Sequence, residues 1–472
     1  MKKLPTTSLT ALAILAQIWG VTPAAEAATI EVSDQVTLSS PTASDVSFNA
    51  IATWNPLKRS ACLYDVASLK VPTDSAEPWA IPSDCRSWTP PVGTASGIYV
   101  ASWDLGKSKA LLTLSSEPLA TKRKRILVIV PDFTWQAYNL VKNGNFYFED
   151  VGKKSANFSA RKLNLLRPLN FSVVGDPLNY PSAPQLYPSA NPIQFLRSHF
   201  ENVDVVSQSN LDEYPYELAN YQTVVLYGHD EYWTAKEKLG LENAVYAGTS
   251  LLNLSGNTGY RKLVRDGAVI GFEPSTPEHP KTSIWGELPG DSTASKLIGA
   301  VYLGEPFNKR QKSPVFVSTQ TFRALVKDGV PKSINRGNLH RLLRGMIVKN
   351  SANPLFNGTG LKNGDFFGAA SRVMAVELDG IPETPNGAFE SSFTHRFGQT
   401  SISAAADAWA NARSSGKSRA WRVGQLIQTT FGSGKIFTAG PIGWTRALVS
   451  GDQIVDRITL NALKYLGQEP TG

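Results

Sequence analysis

The chain has 472 residues, 42% hydrophobic and 18% charged, with a net charge of +8. This balance is globular rather than disordered, and the length asks for about two or three domains. The positive excess is modest and shows no basic stripe with interleaved aromatics, which argues against nucleic acid as a partner.

Residues 1–27 read as a cleavable export signal. Lys2 and Lys3 give a positive start, Leu9 to Val21 is an apolar stretch, and Ala25-Glu26-Ala27 is an A-x-A site before Ala28. The stretch is shorter than the about 20 residues that span a bilayer; an uncleaved anchor is the rival reading. The sequence shows no transmembrane segment further on, so the expected location is secreted or periplasmic. In an oxidising compartment the only two cysteines, Cys62 and Cys85, predict a disulfide. Two buried thiols are the alternative.

Residues 28–120 read as a small β-sandwich, immunoglobulin-like, with short runs at Thr29–Val32, Val46–Thr53, Gly97–Trp103 and Ala110–Leu114 between Pro, Gly and Ser clusters. Ser115-Ser116-Glu117-Pro118 and the basic run Lys122–Arg125 mark a separable junction. Residues 121–472 form the second domain. Ile126–Val130, Thr223–Tyr227 and Ser250–Leu254 are continuous apolar runs, as strands buried on both faces require. Helical spacing at Pro192–Phe200 and Ala235–Ala247, with a short strand at Val203–Val206, completes a β–α–β–α–β alternation. That predicts a parallel sheet with helices on both faces, whose ligands sit beyond the carboxyl ends of the strands. The stretch from about 270 to 400 is irregular, with Arg372–Glu377 as a strand. Gln425–Thr430 and Lys435–Thr438 predict a hairpin around Gly432-Ser433-Gly434, and Gln453–Leu466 a closing helix.

Three polar clusters follow the predicted strands. They are Thr134-Trp135-Gln136-Ala137-Tyr138-Asn139 with Asn143-Gly144-Asn145-Phe146-Tyr147, then Gly228-His229-Asp230-Glu231-Tyr232-Trp233, then Leu254-Ser255-Gly256-Asn257-Thr258. Each alone has a plain explanation: a packing loop, a helix start capped by Asp230 with Trp233 in the core, and a turn. Together they would meet at one sheet edge. A serine elbow, a P-loop and an H-E-x-x-H zinc motif are missing from the sequence. The five histidines lack metal-ligand spacing, and His199 reads as structural.

TWQAYN, GHDEYW, LSGNT-x-Y and the late GPIGW-x-x-x-L occur in this order. In these motifs, residues 124 to 468 resemble the C-terminal domain of the N,N-dimethylformamidase large (beta) subunit. The resemblance implies a flavodoxin-like parallel sheet of the class I glutamine amidotransferase kind, preceded by a β-sandwich. It implies hydrolysis of a formamide-like C–N bond by a mononuclear ferric iron held by two tyrosinates and a glutamate. Those ligands fall on Tyr138, Tyr147 and Glu231, with His229 and Asn257 lining the site and Glu377 activating water. The partner is then a small amide-bearing substrate. Export departs from the family's intracellular role, and the family enzyme's small partner subunit has no sign in this chain. A secreted binding or envelope protein that keeps the fold without catalysis stays open, as does a hydrolase of polysaccharide or peptidoglycan substituents.

Overall fold

The computed structural model describes residues 36–65, 85–139, 144–150, 153–154, 162–170, 190–273, 295–304, 345–363, 365–373, 378–380, 400–405 and 425–471, apart from 43, 46 and 349, together with 141 and 285. The signal-like segment 1–27 lies outside these residues, as do the predicted strand Thr29–Val32 and Glu377.

The first six strands are β1 (Thr37–Ser39), β2 (Ala50–Asn55), β3 (Ser60–Asp65), β4 (Arg86–Trp88), β5 (Gly97–Trp103) and β6 (Ser108–Leu114). They form two three-stranded sheets, β1-β5-β6 and β2-β3-β4. Both sheets contribute to one core, with Trp54 and Leu63 from one and Trp103, Ala110 and Leu112 from the other. A disulfide joins Cys62 to Cys85, as the sequence predicts.

Next come β7 (Arg123–Val130), α1 (Asp132–Tyr138), the small pair β8 (Phe148–Asp150) and β9 (Lys153–Lys154), β10 (Leu163–Asn164), α2 (Ile193–His199) and β11 (Val203–Ser207). They are followed by α3 (Gln208–Glu213), β12 (Tyr221–His229), β13 (Tyr232–Thr234), α4 (Ala235–Tyr246), β14 (Ser250–Gly256), β15 (Arg261–Asp266) and β16 (Val269–Gly271). The remaining elements are α5 (Ser295–Ile298), β17 (Val301–Gly304), β18 (Met346–Val348), β19 (Phe366–Phe367), β20 (Leu378–Gly380), β21 (Thr400–Ala405), β22 (Gln425–Phe431), β23 (Gly434–Thr438), α6 (Gly443–Val449) and α7 (Gln453–Tyr465).

The main sheet runs β11-β7-β12-β14-β23-β22-β21-β18-β19. From β11 to β23 every neighbour pair is parallel, and beyond β23 the pairs are antiparallel. In chain order the parallel strands therefore lie 2-1-3-4-5. Their apolar runs are continuous because both faces are covered. Ile126, Val128 and Val130 enter one core with α2, α6 and α7. Leu127 and Ile129 enter the other with α3, α4 and α5. The two-residue side-chain period of a strand produces this split. Truncating Leu127 to Ala would cost roughly 2–5 kcal/mol, the transfer loss plus the cavity.

Local signals set the ends of these elements. The Thr234 hydroxyl accepts from the Glu237 N–H and starts α4, so Asp230 is not the cap, while Trp233 is fully buried. Asp452 caps α7 through the N–H groups of Ile454 and Val455. The hairpin turns at Gly432, whose φ is +59° and where a Cβ would meet the Tyr246 carbonyl oxygen at 2.4 Å. Only glycine fits there. Of the strand expected at Arg372–Glu377, only Arg372 and Val373 are described, and they lie in a turn. Arg372 has φ +56°, which a strand excludes, and Val373 closes a turn onto Gly368. Residues 374–377 lie outside the described set.

The predicted junction at 115–124 is anchored at its start, at Ser115 and Ser116, while residues 120–124 are exposed. The Ser116 N–H donates to the Val205 carbonyl at 2.8 Å, and the Ser115 hydroxyl donates to Asn210 Oδ1 at 2.7 Å. Asn210 in turn donates to the Trp54 carbonyl at 3.1 Å. Phe48, Ile98 and Val100 belong to the same core as Ile126, Val128 and Leu196.

Candidate functional site

The three polar clusters meet at the carboxyl edge of the parallel strands, where the topology leads them. Near the end of β12, Gly228 takes φ +67° and stays paired with Ser255 of β14, as His229 does with Gly256. His229, Asp230 and Glu231 follow, each at most 2% exposed. The Thr134 hydroxyl in α1 accepts the N–H groups of Glu231 at 3.0 Å and Tyr232 at 3.3 Å. This clamp ties the first cluster to the second. The third joins them through Ser255, whose hydroxyl accepts the Asp230 N–H at 3.1 Å. The Gly259 N–H also donates to the Asp230 carbonyl at 2.8 Å.

Two side chains set the tyrosines. Asn145 donates to the Tyr138 carbonyl at 2.8 Å, and its Oδ1 accepts the N–H groups of Tyr147 at 2.8 Å and Phe148 at 2.9 Å. The buried Arg167 guanidinium donates to the carbonyls of Gly144 at 2.8 Å and Gln136 at 2.7 Å. The hydroxyls are thereby aligned. Tyr147 donates to Tyr138 at 3.0 Å, and Tyr138 donates to Glu231 Oε2 at 2.7 Å. Tyr232 adds a further hydroxyl, 2.6 Å from that of Tyr147. His229 Nε2 lies 3.3 Å from Glu231 Oε2, and Arg261 Nε lies 3.3 Å from Oε1.

Burial alone would raise the Glu231 pKa. The contact and charge of His229, the Arg261 guanidinium and the Tyr138 hydroxyl outweigh it and hold the carboxyl below its usual range. Burial first, and then the charge of Glu231, push the Tyr147 and Tyr232 phenols well above theirs. Behind the site, Gln208 Nε2 donates to Asp230 Oδ1 at 2.8 Å and lies 3.0 Å from Glu237 Oε1. Burial pushes Asp230 up to about 7, and it raises Glu237 strongly, with the charge of Asp230 adding to the effect.

Of the residues singled out in the sequence, Tyr138, Tyr147, Glu231 and His229 come together. Asn257 lies at the same edge in a left-handed conformation, φ +57°. Its N–H and that of Thr258 donate to the buried Asp379 carboxylate at 2.9 and 3.0 Å. Glu377, two positions before Asp379, lies outside the described residues. Sequence reasoning missed Arg261, Arg167 and Asp379 and gave Tyr232 no role. Arg261 directly follows the Tyr of LSGNT-x-Y, the one local cue to it. Among the described residues, no three His, Cys, Asp or Glu side chains are grouped to hold a metal ion. The hydroxyls of Tyr138 and Tyr147 add oxygen donors to Glu231 at this edge.

Comparison with known proteins gives one family: that described as N,N-dimethylformamidase beta subunit-like, C-terminal, matches residues 65–456. No curated protein sequence matches the chain. Among solved structures, a beta-galactosidase from Bacillus circulans sp. alkalophilus is similar over 74% of this chain and 32% of its own, with 9% identity and a TM-score of 0.30.

Proposed function

The chain belongs to the N,N-dimethylformamidase beta subunit-like family, and from that premise we propose that it is an exported, metal-dependent hydrolase of an amide or formamide C–N bond. The observation that carries this reading is the run of oxygen donors from Tyr147 through Tyr138 to Glu231. Two phenols and a carboxylate are hard ligands of the kind a ferric ion takes. The cysteines, joined to each other, do not compete. Tyr138, Tyr147 and Glu231 would hold the iron, which when bound supplies Lewis acidity for polarising a substrate carbonyl.

The chain's own groups prepare the site. His229 and Arg261 keep Glu231 ionised. Both phenols must lose protons to ligate, and the Arg261 charge favours that loss at Tyr147 against burial. Metal uptake should accordingly release protons. Glu377 would take a proton from the attacking water and deliver it to the leaving nitrogen. His229 and Asn257 would hold the carbonyl oxygen as negative charge develops on it.

The 2-1-3-4-5 order of the parallel strands supports a flavodoxin-like, class I glutamine amidotransferase-like reading of the second domain. The disulfide supports an oxidising location, as does the sequence signal at residues 1–27. No helix among the described residues is long and apolar enough to cross a membrane.

The direct test supplies the purified protein with ferric iron and simple formamides or primary amides. Formate or carboxylate should appear in equal amount with the released amine or ammonia. Tyr138→Phe should slow their release by roughly 100-fold or more, as loss of a group that helps stabilise transition-state charge does. No release from any such substrate by iron-loaded protein would contradict the proposal.

A further inference from the structure

The hydroxyl chain at the site has a fixed direction. A phenol carries one hydrogen. Tyr138 gives its hydrogen to Glu231 and Tyr147 gives its own to Tyr138. The remaining contact, 2.6 Å between the hydroxyls of Tyr147 and Tyr232, must then be donated by Tyr232. Tyr232 is fully buried. Its ring stacks on Phe146 with centroids 5.7 Å apart and lies 6.4 Å from Phe272. Its N–H is held by Thr134, and β13 pairs it with Arg261 of β15 in parallel register. The donor is therefore locked by backbone and ring contacts at once, and it points its hydrogen at a prospective ligand oxygen.

We infer that Tyr232 is a positioning residue that donates a hydrogen bond to the Tyr147 oxygen and keeps doing so when that oxygen is a metal-bound phenolate. The inference rests on the proposed ligand set Tyr138, Tyr147 and Glu231. A phenolate only accepts hydrogen bonds, so ionising Tyr147 ends its bond to Tyr138 but strengthens the one from Tyr232 into a charge-assisted bond. A partner that orients a ligand in this way also tunes the metal's electronic properties. The bond lowers the energy of the phenolate electrons, so losing it should move a phenolate-to-iron charge-transfer band to longer wavelength.

The experiment compares the visible spectra of full-length wild type and Tyr232→Phe, each given one equivalent of ferric iron. The expected result is a tyrosinate band in both, displaced to longer wavelength in the variant. Resonance Raman spectra of the wild type in H2O and D2O supply a second reading that does not depend on the variant folding. Tyrosinate modes should shift on deuteration, since one ligand oxygen accepts an exchangeable hydrogen. A wild-type band with no deuterium shift, or one that stays in place in folded Tyr232→Phe, overturns the positioning role and leaves the ligand set standing. Complete loss of the band in folded Tyr232→Phe makes Tyr232 a ligand and also overturns it. No band in iron-loaded wild type overturns the ligand set itself, and the inference with it.

Discussion

Glu231 receives the Tyr138 hydroxyl and His229 Nε2 on one oxygen and the Arg261 guanidinium on the other. Its folded-state pKa is lowered from 4.5, so the stability it adds is present above 4.5 and is lost as the pH falls through the folded value. Glu231→Gln leaves the Arg261 side chain, 19% exposed, without its carboxylate. At pH 7 this should cost about 2 kcal/mol, below the usual range for breaking a fully buried pair because Arg261 still touches solvent. Urea unfolding should show the gap to wild type closing as the pH is taken from 7 towards 3. A gap constant over that range would contradict the ion pair. The residues of this network were unevenly legible in the sequence. Tyr138 and Glu231 sit in motifs dense with polar and aromatic groups, and Tyr147 follows a glycine-asparagine turn. Arg261 is one of three basic residues in the short strand β15, and Arg167 is a single one in a loop. Their roles depend on partners distant in the chain and have no local spacing to reveal them.

The elements that support the site carry a second set of carboxylates. Asp132 starts α1, and its carboxylate accepts the Ser209 N–H of α3 at 3.1 Å. Burial pushes its pKa up to about 7, against the Ser209 bond and the Arg265 charge. The sign is opposite to that of Glu231. With the folded pKa above the unfolded one, stability is full below about 4 and is lost as the pH rises through about 7. Asp132→Asn cannot ionise. Its stability relative to wild type should improve by about 1 kcal/mol between pH 5 and 8.5, a figure kept small because the side chain is not fully shielded from solvent. Thermal melts at both pH values measure this, and a difference that does not change with pH would rule out the buried titration. The apolar runs of β7, β12 and β14 and the period of α4 and α7 marked those elements in the sequence. α1 did not stand out, because seven residues with Thr, Trp and Tyr have no clear helical period. The strand expected from Arg372 does not begin there, because of a backbone conformation that residue type does not disclose.

At the scale of the whole molecule, the composition change near residue 115 falls between β6, in an antiparallel sheet, and β7, in the main sheet. It does not reveal that Phe48, Ile98 and Val100 complete the core under β7 and α2. Composition reports on the chain's neighbours in sequence, and shared cores are made by distant ones. A fragment of residues 121–472 should therefore melt on the order of 10 °C below the full chain. Proteolysis should release no stable C-terminal piece, and a fragment as stable as the intact protein would contradict the shared core. The same long-range packing brings Tyr138 to Glu231 and so bears on the central claim, that Tyr138, Tyr147 and Glu231 hold one metal ion. The most direct measurement is titration of metal-free protein with ferric iron, followed by calorimetry and visible absorption. The account predicts saturation at one equivalent, with a tyrosinate charge-transfer band that is lost in Tyr138→Phe. Absence of stoichiometric binding, or a band that survives unchanged in folded Tyr138→Phe, would contradict it.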